Sequence, residues 1–216
     1  MTGFARGATV IRVFKPWLIG QASRVLRNRF GSRRARGIID EAFRRYLAEA
    51  SKLPAEQSIG GRMMVHCAGV TAALYRVLVD EGLGLVDARE QTARVTAAIY
   101  EQMAEIPWLV AKLSGRSPHA RLKRATDAFR RFPFSAPAYL IQDVAADEQT
   151  VAFDVRRCPV AEYFRAQGLA DLCVESWCNL DFPLAEKWGA RLERTTTLAR
   201  GGQRCDFRWR VRQESG

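Results

Sequence analysis

Apolar positions recur at helical spacing through roughly the first 130 residues and at shorter, strand-like spacing after about residue 138, so the pattern divides the chain in two. In the first part, "SRRARGIIDEAFRRYLAEASKLP" places Ile38, Ile39, Ala42, Phe43, Tyr46 and Leu47 on one helical stripe and stops at Pro54. "GRMMVHCAGVTAALYRVLVDEG" is apolar almost all round and ends at Gly82, which predicts a central buried helix. Asp87 with Glu90 has the spacing of a capping box and opens a helix expected to reach Ile106, just before Pro107. Ser117 followed by Pro118 starts a basic helix that ends near Arg131.

A proline-rich joint, "FPFSAP", precedes the change of period. "AYLIQDV" and "TVAFDVR" flank a turn-like "AADEQ" and predict a hairpin. "CPVAEYFRAQG" reads as a helix with Pro159 at its first position and Gly168 as its stop, and "ADLCVESWCNLDFPLAEKWG" as a helical stretch interrupted by Pro183. The last segment reads as a second hairpin. A two-residue turn at Gly201-Gly202 would pair Leu198 with Cys205, Thr196 with Phe207, Arg194 with Trp209 and Leu192 with Val211 on a covered face. The opposite face would carry Thr197/Asp206, Thr195/Arg208 and Glu193/Arg210, a solvated pattern. The expected fold is α+β in one domain, residues 1–216. A mainly helical part (1–131) packs on a small antiparallel sheet of two hairpins, and the second part (132–216) has the order β-β-α-α-β-β.

Composition adds a core and a charge. Hydrophobic residues at 48% and aromatics at 10% suffice to bury a sizeable core. A net charge of +11 suggests an anionic partner, yet only five of the 34 basic residues are Lys and no nucleic-acid-binding module is present, so the excess reads as an arginine-rich composition. The apolar run near the N-terminus is broken by Arg12 and Lys15 and closed by Pro16. It is too short for a leader or a span, and Phe14, Trp17 and Leu18 are expected to pack on the domain. A cytoplasmic location is the default expectation, with no nucleic acid and no stable membrane insertion expected. Five cysteines, an odd number, do not read as a disulfide framework. Walker, GxGxxG, GxSxG and HExxH motifs are absent, which argues against nucleotide, serine-hydrolase and zincin chemistry.

The thiols are the candidate chemistry. Cys158 follows Arg156 and Arg157 and caps a helix, where two cations and the helix dipole would favour thiolate. Cys178 and Asp181 stand three residues apart on one predicted helical face, a thiol beside a carboxyl group that can move a proton. Cys173, five residues from Cys178, would face elsewhere on an unbroken helix and pack. The Cys-x4-Cys spacing is not a zinc signature, and no metal or other cofactor is expected. In the last hairpin Cys205 points inward, and Arg194 is the one charge among apolar neighbours. It requires a carboxylate, an anionic ligand or the face of Trp209. His66, in the apolar helix, is either a satisfied core histidine or a substrate contact; His119 is expected at the surface.

The run from "CPVAEYFRAQG" through "WCNLD" to "RTTTLARGGQRCDFRW" resembles the L-2-amino-thiazoline-4-carboxylic acid hydrolase family, in which a Cys, a Cys-x-x-Asp and a closing Arg-to-Phe hairpin follow a helical half. Here these are Cys158, Cys178 with Asp181, and Arg194 to Phe207 with Cys205. "GGQRCDF" is also similar to the ending of ligand-binding domains named after vinyl reductase. The first resemblance implies a cysteine-dependent hydrolase that opens a small cyclic amidine or amide. The nucleophile would be Cys178 or Cys158, the proton carrier Asp181, and the site of the substrate carboxylate Arg194. The second implies a module that binds a small molecule, metal or cofactor. The expected partner is a small carboxylate-bearing substrate, with a homodimer as one oligomeric option.

Overall fold

The structure, a computed structural model, describes residues 2–212, with side chains from residue 15 onward, so Phe14 lies outside the described side chains. Helix α1 (Thr2–Glu49) is two limbs joined at Gly31, whose φ of 73° and ψ of 163° break the helix. Pro16 lies inside the first limb rather than ending it. Trp17 does pack on the fold, donating its indole N–H to Gln102 Oε1 at 3.0 Å. α2 (Ile59–Asp80) is the buried central helix, capped by the Ser58 hydroxyl and followed by Gly82 at φ 90°. Among the described residues it is the one helix long and apolar enough to cross a membrane, and 72% of that stretch is buried inside the fold.

α3 (Leu85–Met103) begins after Gly84 rather than at a capping box. Asp87 lies in its first turn and pairs with Arg29. Pro107 does not end this helix but sits in the first turn of α4 (Glu105–Ser114). The first backbone N–H groups of a helix have no intrahelical acceptor, so proline costs little there. The Ser117 cap of α5 (Pro118–Arg131) is as expected, its hydroxyl accepting from the Ala120 N–H.

Strands β1 (Leu140–Asp143) and β2 (Thr150–Arg157) form the first hairpin, and β3 (Ala190–Glu193) and β4 (Cys205–Val211) the second. β2 and β4 pair antiparallel in the middle, giving the order β1-β2-β4-β3. Between the hairpins lie α6 (Pro159–Ala166), α7 (Ala170–Ser176), a 3-10 turn (Cys178–Leu180) and α8 (Asp181–Lys187). The α+β architecture and the β-β-α-α-β-β order hold, with one extra break. The helical stretch parts at Trp177 (φ −134°, ψ −63°), while Pro183 again falls harmlessly in a first turn.

The second hairpin corrects the expected register. Leu192 faces Trp209 and Glu193 faces Arg208, two residues away from the pairing a Gly201-Gly202 turn requires. A shift of two keeps every side chain on its face, so Cys205, Phe207 and Trp209 still point at the covered side. The connection 194–204 is long because Asp206 draws the Thr195 and Thr196 amides onto its carboxylate, at 3.0 and 2.8 Å, and off the strand ladder. Thr197 then caps a 3-10 turn that closes at Gly201, φ 85°. One core lies among α1, α2, α3, α6 and α7, and a second lies between the sheet and α4, α5 and α8.

Candidate functional site

The covered face of the sheet, α3, α5, α7 and α8 enclose a cavity of about 130 Å³. Its walls are aromatic. Phe153 stacks on Phe207 at 5.1 Å, Trp188 on Trp209 at 5.8 Å, and Phe129 on Trp188 at 5.1 Å. Cys158, Cys173, Cys178, Asp181, Arg194 and Cys205 all reach this cavity, four thiols and one ion pair among rings.

Arg194 leaves the end of β3 and turns inward, its side chain only 3% exposed. One guanidinium nitrogen donates to Asp181 Oδ2 at 2.9 Å, the other to the Cys178 carbonyl at 2.9 Å. The cation lies against Phe182 and Phe207, at 4.9 and 5.3 Å, rather than over Trp209. The two-residue shift in register accounts for this change of partner. Asp181 opens α8, and its other oxygen accepts the Tyr100 hydroxyl at 3.1 Å. Burial outweighs both partners and lifts the Asp181 carboxyl to about 6.

The break at Trp177 brings Cys173 to Cys178, a neighbour that an unbroken helix would have turned away. The Cys173 thiol donates to Cys178, and the Arg194 guanidinium adds its charge, so Cys178 is held below the ordinary thiol value and Cys173 well above it. Cys158 does cap α6, its Sγ accepting the Ala161 N–H at 3.5 Å. Its expected ionisation is reversed, because burial pushes the thiol up. The flanking arginines do not help. Arg157 turns to Glu56 and Glu162, and Arg156 to Asp154. Cys205 accepts the Leu198 N–H at 3.3 Å and is pushed up to about 12 by burial.

His66, expected among substrate contacts, is elsewhere. It lies 6% exposed in α2, its Nδ1 2.7 Å from the Tyr46 hydroxyl, and burial lowers its proton affinity. Tyr100 and Tyr139 escaped the sequence reading, and Cys173, expected there to face elsewhere and pack, joins the site. Tyr100 stands 81 residues from Asp181, and no breaker residue marks Trp177. Tyr139 and the indoles of Trp177, Trp188 and Trp209 have buried polar atoms without a hydrogen-bond partner, so the cavity retains unspent donors. Among the described residues no group of three His, Cys, Asp or Glu side chains is placed to hold a metal ion.

These directions predict an order of alkylation. With iodoacetamide at neutral pH and peptide mapping, Cys178 is expected to react at least about tenfold faster than Cys158 or Cys205, because rate follows thiolate fraction. Faster labelling of Cys158 would show that its arginines, not burial, set its state.

A comparison with curated proteins gives no match. Among solved structures, the crystal structure of the Fe(II) unliganded H-NOX protein from K. algicida aligns with a TM-score of 0.47 and 8% identity, covering 92% of this chain and 97% of that one. A mutant of the same protein aligns at 0.44 and 9%, covering 92% and 96%. The family model of L-2-amino-thiazoline-4-carboxylic acid hydrolase matches residues 63–209, which include the cavity walls from Tyr100 to Trp209. The chain belongs to the L-2-amino-thiazoline-4-carboxylic acid hydrolase family.

Proposed function

We propose that the protein is a thiol-dependent hydrolase that opens a small cyclic amidine or amide bearing a carboxylate, with Cys178 as nucleophile. The observation that carries this reading is the meeting of Cys178, Asp181 and Arg194 in one cavity, where Cys178 is the thiol held toward thiolate. The family description supplies the substrate class.

The Cys178 thiolate attacks the sp2 carbon between the ring heteroatoms. The tetrahedral adduct collapses as one ring heteroatom departs with a proton from Asp181. The Asp181 carboxylate then takes a proton from water, which attacks the thiol-bound carbon, and Cys178 leaves as thiolate. One water is consumed and the enzyme is restored. Arg194 links binding to this proton. Asp181 occupies the guanidinium in the free protein. A substrate carboxylate arriving at the same cation places two anions beside one positive charge, and the more buried carboxyl group answers by taking a proton. Substrate binding thereby loads the acid.

The test is hydrolysis of 2-amino-thiazoline-4-carboxylate across pH. The competent free enzyme carries a proton on Asp181 and a thiolate at Cys178, so the pH profile of kcat/KM should show a limb that bends downward at about 6, where Asp181 ionises against the rise in thiolate. Asp181→Asn should remove that limb and lower kcat by about 10²-fold or more. An unchanged limb in the variant would assign the proton to another group. A protein that binds the compound and never turns it over would instead favour the ligand-binding reading, which the apolar walls and unspent indole donors support.

A further inference from the structure

A second cavity, of about 80 Å³, lies among α1, α2 and α3, lined by Leu18, Val70, Leu74, Val95 and Ile99. Its threonine hydroxyls are spent. Thr71 Oγ1 donates to the Cys67 carbonyl, and Thr96 Oγ1 to the carbonyls of Thr92 and Ala93. The Trp177 indole N–H at its edge is the only nitrogen or oxygen donor of its lining left without a partner among the described residues, too few polar partners to hold a water, and apolar cavities of this kind stay dry and take apolar guests. Tyr100, Trp177 and Leu180 line this cavity and the cavity at Cys178 alike, so they form the partition between them.

The partition is unevenly held. Tyr100 is fixed at both ends, its hydroxyl on Asp181 and its ring stacked on Phe129 at 6.0 Å. Trp177 sits at the helix break with a buried indole N–H that has no partner, so no polar contact of its side chain holds the ring across the passage. On the scale in which ~150 Å³ of apolar void holds benzene, the first cavity takes one small ring and the second about three or four carbon atoms.

We propose that the second cavity is a binding site for a short unbranched alkyl arm on the substrate, reached past Trp177 from the ring held beside Cys178. This rests on the reading of the first cavity as the substrate site.

The test is a ladder of alkylbenzenes, from toluene to hexylbenzene, titrated calorimetrically into the intact protein. Each methylene that enters apolar surroundings should tighten binding about fourfold. Butylbenzene should therefore bind roughly fiftyfold more tightly than toluene, with no further gain at hexylbenzene. Val95→Phe, which fills the cavity, should bring the butylbenzene-to-toluene ratio close to one. Thr96→Leu, a smaller filling, should lower the ratio at least about threefold and serves if the larger ring prevents folding. A ladder that stops at toluene in the unaltered protein, or one that persists in the filled variants, overturns the arm site. Because the ladder is read without turnover, absence of hydrolysis would sink the proposed reaction alone. A flat ladder beside intact hydrolysis would sink the arm site alone.

Discussion

Cys178→Ser is expected to lower kcat for ring opening at least about 10³-fold while leaving the fold intact, because a serine hydroxyl in the same place does not ionise near neutral pH and a missing nucleophile is among the costliest losses in catalysis. The neighbouring thiols should not substitute. Cys173 loses the hydrogen bond it gives to the Cys178 sulfur but stays held up by burial, as Cys158 and Cys205 are. The control separates chemistry from packing. Cys158 caps α6 through its sulfur, and serine is the better cap, so Cys158→Ser should be folded and active. Turnover and circular dichroism on both variants decide the matter. Retention of more than a tenth of the activity in Cys178→Ser would remove the thiol from the mechanism.

Arg194→Met is expected to cost about 3–5 kcal/mol of stability, since it leaves the Asp181 carboxyl buried without its cation. From sequence alone Arg194→Lys looks mild in stability and harsh in substrate binding. The structure changes that expectation, because the guanidinium fork bonds Asp181 and the Cys178 carbonyl at once and a lysine can hold only one of them well. Adding Asp181→Asn to Arg194→Met should recover most of the loss. The pH dependence has a definite sign. Asp181 holds its proton up to about 6 in the folded protein, above the value of an unfolded aspartate, so across that interval the native state binds more protons. Its contribution to stability therefore grows as pH falls through about 6, and is fully present only below the unfolded value. Without Arg194 the carboxyl should rise further, and the penalty of Arg194→Met should shrink in acid. Urea midpoints at several pH values measure all of this. A double variant no more stable than Arg194→Met would mean that the arginine matters through its stacking on Phe182 and Phe207.

Local rules read much of the fold from the chain. Ser117 before Pro118, Cys158 before Pro159 and the glycine stops at Gly82 and Gly168 carry their geometry in adjacent residues. The alternation in β4 carried its face even though the register was off by two. Failures gathered where a residue has two structural uses. Pro107 and Pro183 look like breaks, yet a first turn accepts proline, and the true break at Trp177 has no residue that announces it. Gly201 and Gly202 look like a two-residue turn, but Asp206 competes for the two backbone amides that follow Arg194 and lengthens the loop. In the site, Cys178, Asp181 and Arg194 were legible because they are close in sequence. Tyr100 was not, since only the packing of α3 on α7 brings it beside the start of α8. Cys158 shows the opposite error. Neighbouring charges in sequence favoured thiolate, whereas burial and the outward turn of both arginines decide its state.

Three of the five tryptophans, Trp177, Trp188 and Trp209, line the cavity at Cys178, and a fourth, Trp108, stacks on Trp188 at 6.1 Å. The intrinsic emission of this protein is therefore largely the emission of its cavity. Indoles this close exchange excitation, so light absorbed by Trp108 is reported from the ring stack around the thiols. Cys178 shares the cavity with three of these indoles, so a change in its ionisation is expected to alter the brightness of the stack. The indole N–H groups of Trp177, Trp188 and Trp209 are buried without a hydrogen-bond partner, so a guest that accepts a hydrogen bond from them is expected to shift their emission to the red, and an apolar one to the blue. The aromatic walls give the site a built-in spectrometer, able to follow occupancy and protonation in the unlabelled chain.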